Sequence, residues 1–176
     1  MNSRLLENVF LTGFMGVGKT TVGRLLAELL NCPFADFDEM IVQREKRPIA
    51  EIFSDSGESY FRNCESKLLY ELDAFPCKVY ATGGGIVMRE KNRTAMRNLG
   101  KIVYLNSPWP ALQARLIRSK ERPLVDPKKG WVEVKKLWVK RQPFYADADL
   151  VVLTEGCGPL QVAEKIAEDL IGNRTS

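Results

Sequence analysis

The octapeptide Gly13-Phe14-Met15-Gly16-Val17-Gly18-Lys19-Thr20 satisfies the pattern G-x-x-x-x-G-K-[ST] and constrains the fold more tightly than any other stretch of the chain. Its glycines let the backbone take positive φ and approach a bound anion closely. The loop amides and the start of a following helix then form a cradle for phosphates. Such a loop needs a strand to deliver the chain and a helix to carry it away. Both are present: the apolar run 8–12 (NVFLT) reads as a strand, and 19–30 as a helix. In this setting Lys19 reaches the β- and γ-phosphates of ATP and the Thr20 hydroxyl ligates Mg2+, with Gly16, Val17, Gly18 and Thr21 completing the phosphate-binding stretch. The motif indicates nucleotide binding without saying which reaction follows.

Four more short apolar runs, at 33–37, 79–82, 102–105 and 150–153, read as strands covered on both faces, as in a parallel sheet. Helical patterns lie between them at 38–46, 49–73 with breaks, 89–98, 110–118, 131–140 and 159–171. Alternating strands and helices predict right-handed crossovers and an α/β fold: a five-stranded parallel sheet flanked by helices in a three-layer sandwich, with ligands at the strand C-termini. The 176 residues suit one domain, 1–176. Segment 119–130 (SKERPLVDPKKG) is polar with two prolines and reads as a mobile lid, spanning about 115–130 with its approaches.

Composition narrows the function. The net charge of +4, from 26 basic and 22 acidic side chains, suits phosphate or carboxylate ligands and is too small to argue for nucleic acid. No run approaches the ~18 apolar residues of a membrane span, and the N-terminal stretch has no signal-peptide core. A cytoplasmic monomer is expected. Cys32, Cys64, Cys77 and Cys157 are scattered, with no CxxC, and are expected to be free structural thiols. There is no histidine, so any general base must be Asp, Glu or Lys.

Several residues near the strand ends could build an acceptor site. On an extended strand, Asp36 and Asp38 point the same way while Phe37 points into the core. One carboxylate could hold a magnesium shell and the other accept a proton; Asp38 could equally cap the next helix. Arg62 and Glu65 share a helical face, and by spacing alone they make an ordinary surface ion pair. Gly83-Gly84-Gly85 excludes side chains, so a ligand could lie against the backbone, or the segment could be a flexible turn. Arg141 offers a planar fork for a carboxylate, yet alone it reads as one solvated cation among Lys135, Lys136 and Lys140.

Taken in order, these motifs resemble the shikimate kinase family over nearly the whole chain. The phosphate loop is followed by D-x-D (Asp36, Asp38), G-E-x-x-F-R-x-x-E (57–65) and G-G-G (83–85). R-P-L (Arg122, Pro123, Leu124) and R-x-P-x-Y (141–145) complete the series. The resemblance implies transfer of the γ-phosphoryl group of ATP to the 3-hydroxyl of shikimate, with Mg2+, on the chorismate route to aromatic amino acids. It implies that Asp38 meets the ring hydroxyls and that Arg62 and Arg141 hold the carboxylate, with Gly83, Gly84 and Gly85 lining the site. Asp36 would support magnesium through water, Arg122 would close over the phosphates, and Arg115 with Pro159 would enclose the adenine. Val125 stands where the lid motif often has leucine, and the stretch between Arg115 and Arg122 lacks glycine. A gluconate kinase is the nearest alternative, since its acceptor is also a polyol carboxylate; the joint G-E-x-x-F-R and G-G-G favours the cyclic acceptor. A non-catalytic nucleotide sensor would have no need of Lys19, Thr20, Asp38 and Arg122 together.

Overall fold

A computed structural model describes residues 7–73, 76–118 and 130–172. Five strands form one parallel sheet: β1 (Asn8–Thr12), β2 (Phe34–Asp36), β3 (Val79–Ala81), β4 (Gly100–Asn106) and β5 (Leu150–Leu153). Their order across the sheet is β2-β3-β1-β4-β5. The helices are α1 (Lys19–Leu29), α2 (Phe37–Glu45), α3 (Ile49–Tyr70), α4 (Glu90–Leu99), α5 (Trp109–Arg118), α6 (Gly130–Ala146) and α7 (Pro159–Gly172), with a 3-10 turn at Ile86–Met88. The expected α/β architecture of a five-stranded parallel sheet flanked by helices is therefore present.

β1 lies at the centre, bonded to β3 through Phe10↔Tyr80 and to β4 through Phe10↔Ile102, and all five of its residues are buried. Full burial explains its unbroken apolar character. Each Leu, Phe or Val so enclosed contributes about 1.5–3 kcal/mol of transfer free energy. Phe10 stacks on Tyr80 with ring centroids 5.3 Å apart, and Phe37 meets the same ring edge-on at 5.7 Å. α1 packs on α7, and Val22 and Leu26 on the first and Val162 and Ile166 on the second are buried at helical spacing.

Several boundaries differ from the sequence reading, three of them for a reason the structure makes plain. β2 stops at Asp36, because the Asp36 carboxylate accepts a hydrogen bond from the Asp38 amide (2.9 Å) and caps α2. Asp36 and Asp38 are thus a cap and a first-turn residue, not two positions of one strand, and the capping residue is Asp36. α6 continues through Pro143 to Ala146, six residues beyond the expected end, because Arg141 and Tyr145, one turn apart, are both buried on the same face. β4 begins two residues earlier, at Gly100, where a Cβ would collide with the Asn8 backbone on β1. The break expected within 49–73 falls at Gly57, whose φ of 80° and ψ of 171° kink α3.

Cys32, Cys64, Cys77 and Cys157 form no disulfide, with Cys77 buried and Cys157 exposed. Among the described residues no helix is long and apolar enough to cross a membrane. Of the expected lid, residues 119–129, with Arg122, Pro123, Leu124 and Val125, lie outside the described residues.

Candidate active site

The parallel strands end on one side of the sheet, and the predicted residues gather there. β1 runs into the phosphate loop. Gly13 (φ 141°) lies against β4, where a Cβ would stand 2.7 Å from the Leu105 carbonyl oxygen, so only glycine fits. Gly18, at φ 102°, is the N-cap of α1; no side chain caps that helix and its first turn carries no acid. The amides and the positive end of the helix dipole are left to an anion. Lys19 Nζ donates to the Gly13 and Phe14 carbonyls at 2.9 and 3.2 Å, which bends its stem back over the loop.

β2 brings the acidic pair to the same place. Thr20 Oγ1 donates to Asp36 Oδ2 at 2.7 Å, while Asp36 Oδ1 holds the α2 cap. Asp38 lies one residue into α2, with Oδ1 turned toward Gly83.

α3 carries Arg62 and Glu65 on one face, as the spacing predicts, but they are not a surface pair. Glu65 is wholly buried and accepts from Arg62 Nη1 at 2.7 Å; Arg62 Nη2 reaches Glu58 at 2.9 Å. Glu65 Oε1 has no hydrogen-bond partner. Burial pushes the Glu65 carboxyl above its ordinary pKa, against the opposing charge of Arg62. A guanidinium keeps its charge in such a site, so Arg62 is a fixed, rigid cation.

The triple glycine serves the protein's own side chains. A Cβ at Gly83 would sit inside the Glu65 carboxylate, and one at Gly85 inside the Arg62 guanidinium. The Gly84 carbonyl accepts from Arg141 Nη1 at 3.2 Å and from the Tyr145 hydroxyl. Space rather than flexibility therefore requires Gly83 and Gly85. Arg141 is 4% exposed, unlike the solvated Lys135, Lys136 and Lys140, so reading it as one more surface cation fails. The i, i+4 spacing to Tyr145 was a signal that both residues face inward.

These elements enclose a cavity of about 950 Å³. Its walls include Gly16, Gly18, Lys19, Thr20 and Thr21 from the phosphate loop and α1, and Asp36 and Asp38 beside them. Arg62, Gly83, Gly84, Gly85 and Arg141 complete the predicted set. Val17, Arg115 and Pro159 are not among the described residues that line it. Arg115 does adjoin the loop, donating from Nη1 to the Val17 carbonyl at 3.2 Å, whereas Pro159 is exposed at the start of α7. A further wall is formed by Gln43, Lys46, Arg47, Phe53 and Phe61, the last two with ring centroids 4.8 Å apart. Phe61 is the aromatic position of G-E-x-x-F-R, but nothing in the spacing of the other four marks them as site residues, because they meet it only through the turn between α2 and α3 and the kink at Gly57.

A family model described as shikimate kinase matches residues 15–171. A shikimate kinase of Persephonella marina is 39% identical over 161 residues, covering 92% of this chain and 97% of its own. The solved shikimate kinase of Acinetobacter baumannii, in complex with shikimate, superposes with a TM-score of 0.91 at 36% identity, over 98% of this chain and 97% of its own. A gluconokinase from Sinorhizobium meliloti reaches a TM-score of 0.58 at 16% identity, a likeness of fold alone. With a phosphate loop, two anchored arginines and a triple glycine set around one cavity, and with matches of this length, the chain belongs to the shikimate kinase family.

Proposed function

We propose that this protein transfers the γ-phosphoryl group of ATP to the 3-hydroxyl of shikimate, giving shikimate 3-phosphate and ADP. The observation that carries this reading is one cavity shared by the phosphate loop (Lys19, Thr20) and by Asp38, Arg62 and Arg141. A triphosphate chain at the uncapped start of α1 and a carboxylate at two arginines from α3 and α6 would place donor and acceptor side by side.

In the proposed reaction the acceptor oxygen forms a bond to the γ-phosphorus as the bond to the β-bridging oxygen breaks. Lys19 exchanges its carbonyl partners for phosphate oxygens and neutralises the charge they gain. Asp38 orients the attacking hydroxyl and takes its proton, unless the transferred phosphate carries that proton instead. Arg62 is held by Glu65 and Arg141 by Gly84, so both forks meet the acceptor carboxylate already oriented. Thr20 Oγ1 and Asp36 Oδ2, 2.7 Å apart, are hard oxygen donors of the kind magnesium takes beside phosphate oxygens and waters. When bound there, magnesium supplies positive charge to the β- and γ-phosphates. Arg115 and Pro159 would flank the adenine, and Arg122 would approach the phosphates from the 119–129 segment. We take residues 1–176 to act as one catalytic unit, a monomer in the cytoplasm.

A coupled ADP-release assay with ATP and magnesium tests the reading, with shikimate, gluconate or no acceptor in parallel. ADP release that requires shikimate is expected. Release with gluconate alone would overturn the acceptor, and ATP binding without release in any arm would leave a nucleotide sensor.

A further inference from the structure

Tyr145 is 1% exposed and its hydroxyl donates to the Gly84 carbonyl, the same oxygen that Arg141 Nη1 contacts at 3.2 Å. The two donors stand one turn apart on α6 and converge on a single peptide group. Gly84 in turn lies against the phosphate loop, where a Cβ would meet the Gly13 carbonyl oxygen at 3.5 Å and the Met15 amide nitrogen at 3.6 Å. The Tyr145 ring stacks on Tyr104 of β4, with centroids 5.2 Å apart and planes 18° from parallel. Tyr104 donates from its hydroxyl to Gln142 on α6 at 2.8 Å. The central sheet thus grips α6 from below while Tyr145 ties it to the triple glycine above.

From this arrangement we infer that the Tyr145 hydroxyl is a positioning group for acceptor binding: it fixes the Gly84 peptide and, through it, the orientation of Arg141 toward the acceptor carboxylate. The inference rests on the proposed role of Arg141. The Arg141 guanidinium has Nε buried without a hydrogen-bond partner, so the Gly84 carbonyl is a principal anchor for its rotamer. With the hydroxyl gone, that peptide keeps one donor instead of two, and the plane of the fork loses its reference. Burial raises the Tyr145 pKa to about 12 despite the nearby Arg141 charge, so the hydroxyl remains a donor throughout the working pH range.

The test is Tyr145→Phe, which keeps the ring and the stack and removes one oxygen. Shikimate KM should rise roughly fivefold, the loss of one ordinary hydrogen bond, with ATP KM unchanged. KM is read on folded molecules, so partial misfolding would lower kcat without imitating this result. In an Arg141→Ala background the same substitution should change shikimate KM less than about twofold, because the group it positions is gone. An unchanged KM in an active Tyr145→Phe protein would overturn the inference. The same fold-change with and without Arg141 would overturn it as well. A wild-type protein that releases no ADP with shikimate would instead overturn the functional reading, and this inference with it.

Discussion

Gly85 has an ordinary φ of −108°, so what it offers is room, not backbone freedom. Arg62, whose guanidinium fills that room, is held by Glu58 and Glu65 and has few other places to go. Gly85→Ala should leave the backbone in place and displace the guanidinium. Shikimate KM should then rise roughly tenfold or more, the loss of a charged hydrogen bond, while ATP KM stays put; steady-state kinetics in both substrates will show it. Lys46 presents the opposite case. It closes α2 at φ 56° and ψ 30°, a left-handed conformation that costs a side-chain-bearing residue free energy and glycine none. Lys46→Gly should stabilise the fold by about 0.5–1 kcal/mol, the strain relieved less the extra freedom of an unfolded glycine. A higher denaturant midpoint at unchanged m-value is the expected readout.

Elements are held to one another by a few side chains at their ends. α4 is tied to the end of α6 through Asp147, which accepts from Arg93 Nε at 2.9 Å and from Arg97, while Arg93 also covers the Phe144 ring at 5.3 Å. The hydrogen bond from Arg97, then that from Arg93, holds the Asp147 carboxyl below its usual pKa. A depressed carboxyl contributes stability above its unfolded pKa of about 3.9 and loses that contribution as pH falls through the lower folded value. Asp147→Asn should therefore lower the melting temperature slightly near neutrality, and the gap to wild type should close on acidification. The effect will be small because Asp147 and Arg97 are solvent-exposed. Melting curves from roughly pH 3 to pH 7 will trace the gap. At this scale most elements were legible, because unbroken apolar runs and helical spacing are local patterns. Boundaries such as the end of β2 were not, since the competition between strand and cap was decided by one Asp36 hydrogen bond.

The whole molecule separates its two tasks. The phosphate loop and α1 present backbone amides, whereas α3 and α6 present fixed cations beside the triple glycine, and the two sets face one cavity. Lys19→Ala should therefore abolish turnover yet leave shikimate affinity within about twofold, measured by titration calorimetry; a large loss of affinity would mean that the two sets are not separable. The phosphate loop, the alternation of strands and helices, and the motif series that marks the family are all legible in the chain, because each is written in short spacings. Packing, by contrast, is what buries Glu65 against Arg62, gives Gly83 and Gly85 the task of making room for them, and takes Arg141 off the solvated face beside Tyr145. Burial and steric room depend on what the rest of the chain places around a residue. Glu65, three positions from Arg62, could have faced water or the core, and the packing of α3 against the triple glycine settled which.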